Sequence, residues 1–462
     1  MAARWDRRSL SEQRRIRSLL LEDWLGATAA FSPFWGEHLA ETGVEPSSIR
    51  TVEDLQRLPS ARERDLLGRG GAGSPALVLR PTEDQVKARA NFALLRRVAR
   101  DIRRSGLGGK RRALLTEFKP VQLVPSGRDG DLTLAYTRAD LDRLHRAGAR
   151  AADVLGLGSD DYLVSVVPAD RSLTFWSVYH LALGTSMLAA HAGDDVEAAV
   201  AAFARMPVTA VAAPAEGAAE WADLLAAEGV DLGRVRTVVL VGAPGDERGS
   251  VVEAWRAAGA ASDARVLGLW SPPGVRALWG ECAESAAGGA GTGFHTYPDL
   301  EVLELVGATG RPSPGGGDIT YTSMGWNGTA LIRYQTGDHA AGLVEDPCPA
   351  CGRTVPRVVG PVSPGAWEPL LATGSGDVRI DLRGIAVVLS REDGIEAWRA
   401  EVRTSDRGAD EYVVYVAGQP RDGLSHRLAT AVGHPPVAVT SELRGELEER
   451  VAEVGGVFED AR

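Results

Sequence analysis

The chain has 462 residues, 44% apolar and 24% charged, with a formal net charge of −11. That length exceeds what one hydrophobic core normally serves, so at least two domains are expected. The acidic balance argues against a sequence-independent grip on nucleic acid, and no run approaches the roughly 20 apolar residues of a membrane span.

The N-terminus, MAARWDRRSLSEQRRIRSLL, is basic but lacks the apolar core and cleavage site of a signal peptide. It reads as an amphipathic helix, and a cytoplasmic location is expected. Helical patterning continues past Trp24 and Trp35 into GVEPSSIRTVEDLQRLPS, where Ser47 or Ser48 can cap a turn and Thr51 with Asp54 opens a short helix. From about Ala113 the texture changes. Short apolar runs at 161–168, 209–214, 236–244 and 263–270 alternate with helical stretches at 138–154, 174–183, 193–205, 215–228 and 247–259. Buried strands alternating with helices indicate an α/β fold with a mostly parallel sheet. Residues 295–345 turn β-rich, with turn sites at the glycines 315–317 and at Asn327-Gly328. VSPGAWEPLLATGSG (362–376) reads as a linker between a large N-terminal domain (1–361) and a small α+β domain (377–462).

The three cysteines are not scattered. Cys348 and Cys351 form the knuckle CPACGR, Cys282 sits in WGEC, and His295 follows in GFHTYPD. Two sulfurs on one tight turn chelate a metal, and a third sulfur with one imidazole completes the closed tetrahedral set of structural zinc. With no fourth cysteine, the remaining ligand is a nitrogen or oxygen, and His295 is preferred over His339. The alternatives are buried free thiols or a disulfide, which a reducing cytosol disfavours.

These residues carry a resemblance. GVEP with EDLQRLP, then Tyr136-Thr-Arg-Ala-Asp-Leu, the Glu-Cys pair with a following histidine, IRYQTGD ending at Asp338, and CPACGRTVPRVVG occur in the order seen in phenylacetate–CoA ligases and coenzyme F390 synthetases. Those proteins belong to the adenylate-forming superfamily, and the resemblance covers most of residues 20–360. It implies a large adenylate-forming domain with mostly parallel sheets, a β-rich subdomain and a small C-terminal domain. It also implies activation of a small or aromatic carboxylic acid with ATP and magnesium, and transfer to a thiol.

The same resemblance assigns residues. The phosphate loop falls at VPSGRDGDLTLAYTR, where Ser126, Gly127, Arg128 and Gly130 would face the polyphosphate and Asp129 would repel it. Asp338 matches the ribose-binding aspartate; its other reading is a turn aspartate after a strand. Gly242, Ala243 and Pro244 in LVGAPGDERG match the adenine loop. Trp176, Tyr179 and His180 fall on the helix that lines the acyl pocket; because positions 176, 179, 180 and 183 share one helical face, ordinary core packing is the alternative. The chain departs from the family at four places. The loop's hydroxyl pair is gone, LGLWSPPG lacks the metal-associated glutamate, Pro361 and its neighbours replace the hinge, and no lysine follows Lys119. Glu281 is a poor substitute for the missing acid. Two alternatives to a ligase therefore stand: an inactive scaffold acting as a binding subunit, with a protein partner or as a homodimer, and an acyl- or CoA-binding protein that does not use ATP.

Overall fold

The computed structural model describes every residue except 1–4, 69–73, 89–98, 101, 104–105, 107–116, 127–131, 171, 243–247, 287–291, 308–310, 314–315, 365–368, 374–375, 381, 390, 393, 455–456 and 462. The chain divides into two units. The first comprises Met1–Glu304, Thr320–Thr336 and Leu343–Gly360; the second comprises Leu305–Ile319, Gly337–Gly342 and Pro361–Arg462.

In the first unit, α1 (Leu10–Phe31) and α2 (Pro33–Glu41) meet at Ser32, whose hydroxyl accepts from the Trp35 amide and caps α2. Trp24 donates its indole N–H to the Trp326 carbonyl and Trp35 to that of Ala330, which seats both helices on the 326–330 turn. The hairpin of β1 (Pro120–Pro125) and β2 (Thr133–Thr137) leads into α3 (Arg138–Leu155), opened by a capping box between Thr137 and Asp140.

Then comes the alternating region: β3 (Tyr162–Ser165), α4 (Leu173–Thr185), β4 (Leu188–His191), α5 (Val196–Arg205), β5 (Ala210–Pro214), α6 (Ala218–Ala227), β6 (Thr237–Val241), α7 (Arg248–Ala257) and β7 (Arg265–Trp270). These strands pair in parallel in the order β4-β3-β5-β6-β7. Side chains on a strand alternate between faces, and the two cores follow from that period. Val164, Val211, Val238, Leu240 and Val266 pack against α5, α6 and α7. Leu163, Ala212, Val239, Val241 and Leu267 pack against α3 and α4. Helices on both faces bury both sides of the sheet, as a parallel sheet requires. α3 and α4 cross closely because Gly148 and Gly184 lack side chains: a Cβ on either would lie 2.6–2.7 Å from the backbone of the other helix.

β8 (Trp279–Glu281) continues this sheet antiparallel to β7, and β9 (Phe294–His295) pairs antiparallel with β8. With β10 (Val302–Val306), β11 (Gly317–Thr322), β12 (Tyr334–Val344) and β13 (Arg357–Pro364), its full order is β10-β11-β12-β13-β9-β8-β7-β6-β5-β3-β4. The mixed α/β architecture expected from the sequence is present. The short apolar runs are strands, and β4, whose LAAH lacks a run of β-branched residues, is an addition.

The second unit has its own α+β core. β16 (Ile395–Thr404) and β17 (Asp410–Gly418) form an antiparallel pair, flanked in parallel by β19 (Phe458–Asp460) and β18 (Ala438–Ser441). Ala400, Val402, Val414 and Val416 pack with Leu424 and Leu428 of a helix at Leu424–Val432. Within the stretch read as a linker, Leu370–Thr373 (β14) is a strand that pairs antiparallel with Gly376–Arg379 (β15), so regular structure replaces part of the expected loop.

A buried polar layer supports β8. Glu301, 4% exposed, accepts from the Trp279 indole and the Tyr297 amide, both at 2.8 Å. Burial pushes its carboxyl up to about 8, against the pull of those two donors. The folded state therefore holds a proton that the unfolded chain loses near pH 4.5, and stability falls as pH rises from there through about 8. Glu301→Gln mimics the protonated form. In denaturant titrations it should match the parent at pH 5 and exceed it by roughly 1–3 kcal/mol above pH 8. A parent stability flat over that range contradicts the assignment.

Candidate metal centre and nucleotide site

Cys282, His295, Cys348 and Cys351 come together. All four are buried, and their ligand atoms lie within 4.8 Å of one another. Strand register explains part of this. His295 pairs with Gly280 of β8 on one side and Arg357 of β13 on the other, so β9 sits between the strand that ends just before Cys282 and the strand that follows the knuckle. The knuckle closes on itself: the Gly352 amide donates to the Cys348 carbonyl, the Cys348 amide to that of Arg353, and Gly352 adopts φ +69°. The Ala350 and Cys351 amides also donate toward the Cys348 sulfur.

The separations fit a tetrahedral ion. Cys282 Sγ and Cys348 Sγ are 3.8 Å apart, and Cys351 Sγ is 3.3 Å from His295 Nε2. Four ligands at zinc distances place sulfurs about 3.8 Å and sulfur and nitrogen about 3.6 Å from each other. A disulfide needs about 2.05 Å, and the three cysteines are free thiols. Thr292 Oγ1 stands 3.4 Å from both Cys282 and Cys348 sulfurs. Arg353 is buried beside Cys351 and held by the carbonyl and carboxylate of Asp153, at 2.9 and 2.7 Å. A guanidinium there offsets the surplus negative charge that three thiolates give a divalent ion. The N-terminal segment clamps the same loop: the Thr354 amide donates to Asp6 O, its hydroxyl to Arg8 O, and Gln13 reaches its oxygen at 2.6 Å.

A second constellation forms around Gly274. Ser126 follows β1, its amide donating to the Leu132 carbonyl. Ser126 Oγ accepts from the Gly274 amide at 3.2 Å. Gly274, φ +85°, leaves room for the Tyr334 ring, which a Cβ there would approach to 2.5 Å. Glu63 then bridges the segments, accepting from the Leu132 amide and the Tyr334 hydroxyl at 3.0 and 3.2 Å. Ser126, Gly274 and Tyr334, each from a segment singled out in the sequence, thus meet. Neither Glu63 nor Gly274 was identifiable beforehand, because both act only through contacts with distant residues.

Gly242, φ +127°, ends β6 and donates to the Leu269 carbonyl of β7, which puts it at the carboxyl edge of the sheet, where open α/β folds take ligands. Asp338, in the second unit, is buried within β12 on the same strand face as Thr336 and Ala340, so it is no turn residue. Gly127, Arg128, Gly130, Ala243 and Pro244 lie outside the described residues. On α4, Trp176 is half-buried, Tyr179 is 37% exposed and Leu183 51%, while His180 is buried. Of that face only His180 is buried, and the helix also buries Leu173, Ser177, Val178, Leu181 and Ala182. Trp176, Tyr179 and His180 form an aromatic chain, with rings 5.8 and 5.5 Å apart, and His191 lies 5.6 Å from Tyr179. Burial, then the neighbouring His145, pushes His180 down to about 4.

No protein-family model matches the sequence, and no curated protein matches it. Among solved structures, the chain is similar to 2-hydroxyisobutyryl-CoA ligase in the postadenylation state with R3-HIB-AMP. The TM-score is 0.63 at 18% identity, over 96% of this chain and 88% of that one. The same ligase with 2-HIB-AMP and CoA, in its thioesterification state, gives 0.61 at 17% identity over 98% and 94%. The fold is that of the adenylate-forming ligases. The amide bond synthetase McbA from Marinactinospora thermotolerans matches 67% of this chain and 63% of its own, at 16% identity and a TM-score of 0.41.

Within an adenylate-forming fold, the end of β7 is where the resemblance leads one to look for a metal-associated glutamate. Ser271 follows Trp270 here. Glu281, 3% exposed, is already engaged: its Oε2 accepts from the Gly268 amide at 2.6 Å and from Arg248 at 2.5 Å. These residues do not fit a magnesium ion, and Glu281 works as a strut across β7 and β8.

Proposed function

We propose that the chain is a divergent AMP-forming carboxylate ligase of the phenylacetate–CoA ligase type, acting on a small or aromatic carboxylic acid, with thiol transfer to follow. The supporting observation is the convergence of Ser126, Gly274 and Tyr334 in a chain with the ligase fold over nearly its whole length. In this reading Asp338 holds the ribose hydroxyls, Gly242, Ala243 and Pro244 approach adenine, and Ser126, Gly127, Arg128 and Gly130 face the phosphates. Trp176, Tyr179 and His180 line the acid pocket, with His180 neutral at pH 7 because burial depresses its pKa. No step is assigned to magnesium; charge compensation falls to Arg128. The body is assigned to 1–361 and the small domain to 377–462.

We also propose that Cys282, His295, Cys348 and Cys351 hold one zinc ion. Four protein ligands leave no open position for water, so its work is to tie β8, β9 and the knuckle together.

A second reading, an inactive scaffold of the same fold, is favoured by the engagement of Glu281 with Arg248 and by the absence of lysine after Lys119. Titration calorimetry separates the two from a protein that binds acyl-CoA alone. The ligase reading expects binding of ATP and of a non-hydrolysable acyl-adenylate. Asp338→Ala should weaken both at least about tenfold, a loss of roughly 1.4 kcal/mol. Acyl-CoA binding without any nucleotide binding would overturn it.

A further inference from the structure

We propose that α1 is a self-complementary surface through which two copies of this chain pair antiparallel. The helix spans 22 residues, and its charge is split along its exposed side. Arg15 is exposed in its front half, with Arg7 exposed just before its first turn, Glu22 and Asp23 are exposed toward the back, and Leu19 at the crossover is 54% exposed. Among the described residues none of these four charges has an ion-pair partner, whereas Arg14 and Arg17 are taken by Glu345.

Beside the acidic half runs a groove of about 840 Å³ between α1 and α2. Gly26, Ala30, Gly36 and Ala40 give one stretch of it a low floor, Leu19, Leu39 and Val44 add larger apolar side chains, and Glu22, Asp23 and Glu45 supply carboxylates. Gly36 keeps this corner tight, since a Cβ there would lie 3.0 Å from the Ala29 carbonyl. An apolar groove edged by carboxylates suits a helix carrying arginines and an exposed leucine. The basic half of another α1 is such a helix.

The spacing closes the argument. Arg15 and Glu22 are two turns apart on one face. A twofold axis near Ser18 and Leu19 sets Arg15 of one copy against Glu22 of the other, and the reverse pair follows by symmetry. Leu19 then meets the second copy near the axis. The first turn of each helix, with Arg7 just before it, faces the Gly26 and Ala30 end of the groove. Aligned in parallel, two such helices would set like charges together.

One helix and a groove bury less than a standard interface, so association is weak and salt-sensitive. Sedimentation equilibrium of the full chain, from about 1 to about 200 µM, should give a dimer with Kd on the order of 10 µM. Arg15→Glu or Glu22→Arg alone should raise Kd about tenfold or more, and the two together should restore dimerisation. The circular dichroism spectrum and melting temperature of each variant report folding separately. A parent chain that stays monomeric throughout overturns the proposal. So does a dimer indifferent to the single changes, or a double variant that fails to recover.

Discussion

On the proposed zinc assignment, chelating the ion should lower the melting temperature by about 10 °C, corresponding to a loss on the order of 5 kcal/mol. The apo site leaves three thiols and an imidazole at the junction of β8, β9 and the knuckle, with Cys282 0% and His295 1% exposed. Among the described residues His295 Nδ1 has no hydrogen-bond partner to fix the ring without an ion. Arg353, still paired with Asp153, then loses the thiolate charge beside it. The knuckle also anchors the N-terminal clamp through Thr354, so its release should free Asp6 from Arg150, to which it is bound at 2.6 Å. Cys348→Ser should reproduce the effect without chelator and bring metal content well below one ion per chain. Elemental analysis beside differential scanning calorimetry checks both. A metal-free chain of unchanged melting temperature contradicts the assignment.

Replacing Asp140 by alanine should cost about 3–5 kcal/mol, the scale for stripping a buried charge from a hydrogen-bonded network. Its carboxylate is fully buried and accepts four bonds. Oδ2 takes the amides of Thr137 and Gly328, at 2.9 and 2.8 Å, while Oδ1 takes the Asn327 amide at 2.8 Å and Arg143 at 3.1 Å. One side chain thereby caps α3 and grips the Asn327-Gly328 turn 187 residues later. Alanine leaves three buried N–H groups unmatched; asparagine keeps one acceptor oxygen and should lose roughly half as much. Gly328→Ala should be at least as damaging, because its Cβ would fall 1.9 Å from the Ala135 carbonyl oxygen. Urea denaturation of the three variants ranks them, and an Asp140→Ala loss below about 1 kcal/mol would contradict the role.

Much of the architecture was legible because periodicity is a local property. The apolar runs around Leu163, Val211, Val238 and Val266 alternate between two cores, and the helices between them carry matching faces. The four metal-type ligands were legible through the C-x-x-C spacing and the shortage of other sulfur. Asp140 was visible only as part of YTRADL; its grip on Asn327 and Gly328 depends on a chain reversal that no local pattern encodes. The same holds for Glu63, which joins Leu132 to Tyr334. The outer face of α4 misled for a related reason. Helical spacing groups Trp176 with Tyr179 and Leu183, but which face packs against α3 is decided by the close approach at Gly148 and Gly184. LAAH gave no strand signal since its alanines are neutral, and β4 forms because β3 offers it an edge.

The ligase reading has one direct test. Purified chain incubated with ATP, magnesium and a panel of small and aromatic carboxylic acids should release AMP and pyrophosphate in an acid-dependent manner, and Asp338→Ala should suppress that release. A folded, metal-loaded chain that forms no AMP with any acid of the panel would contradict it and leave the inactive scaffold in its place.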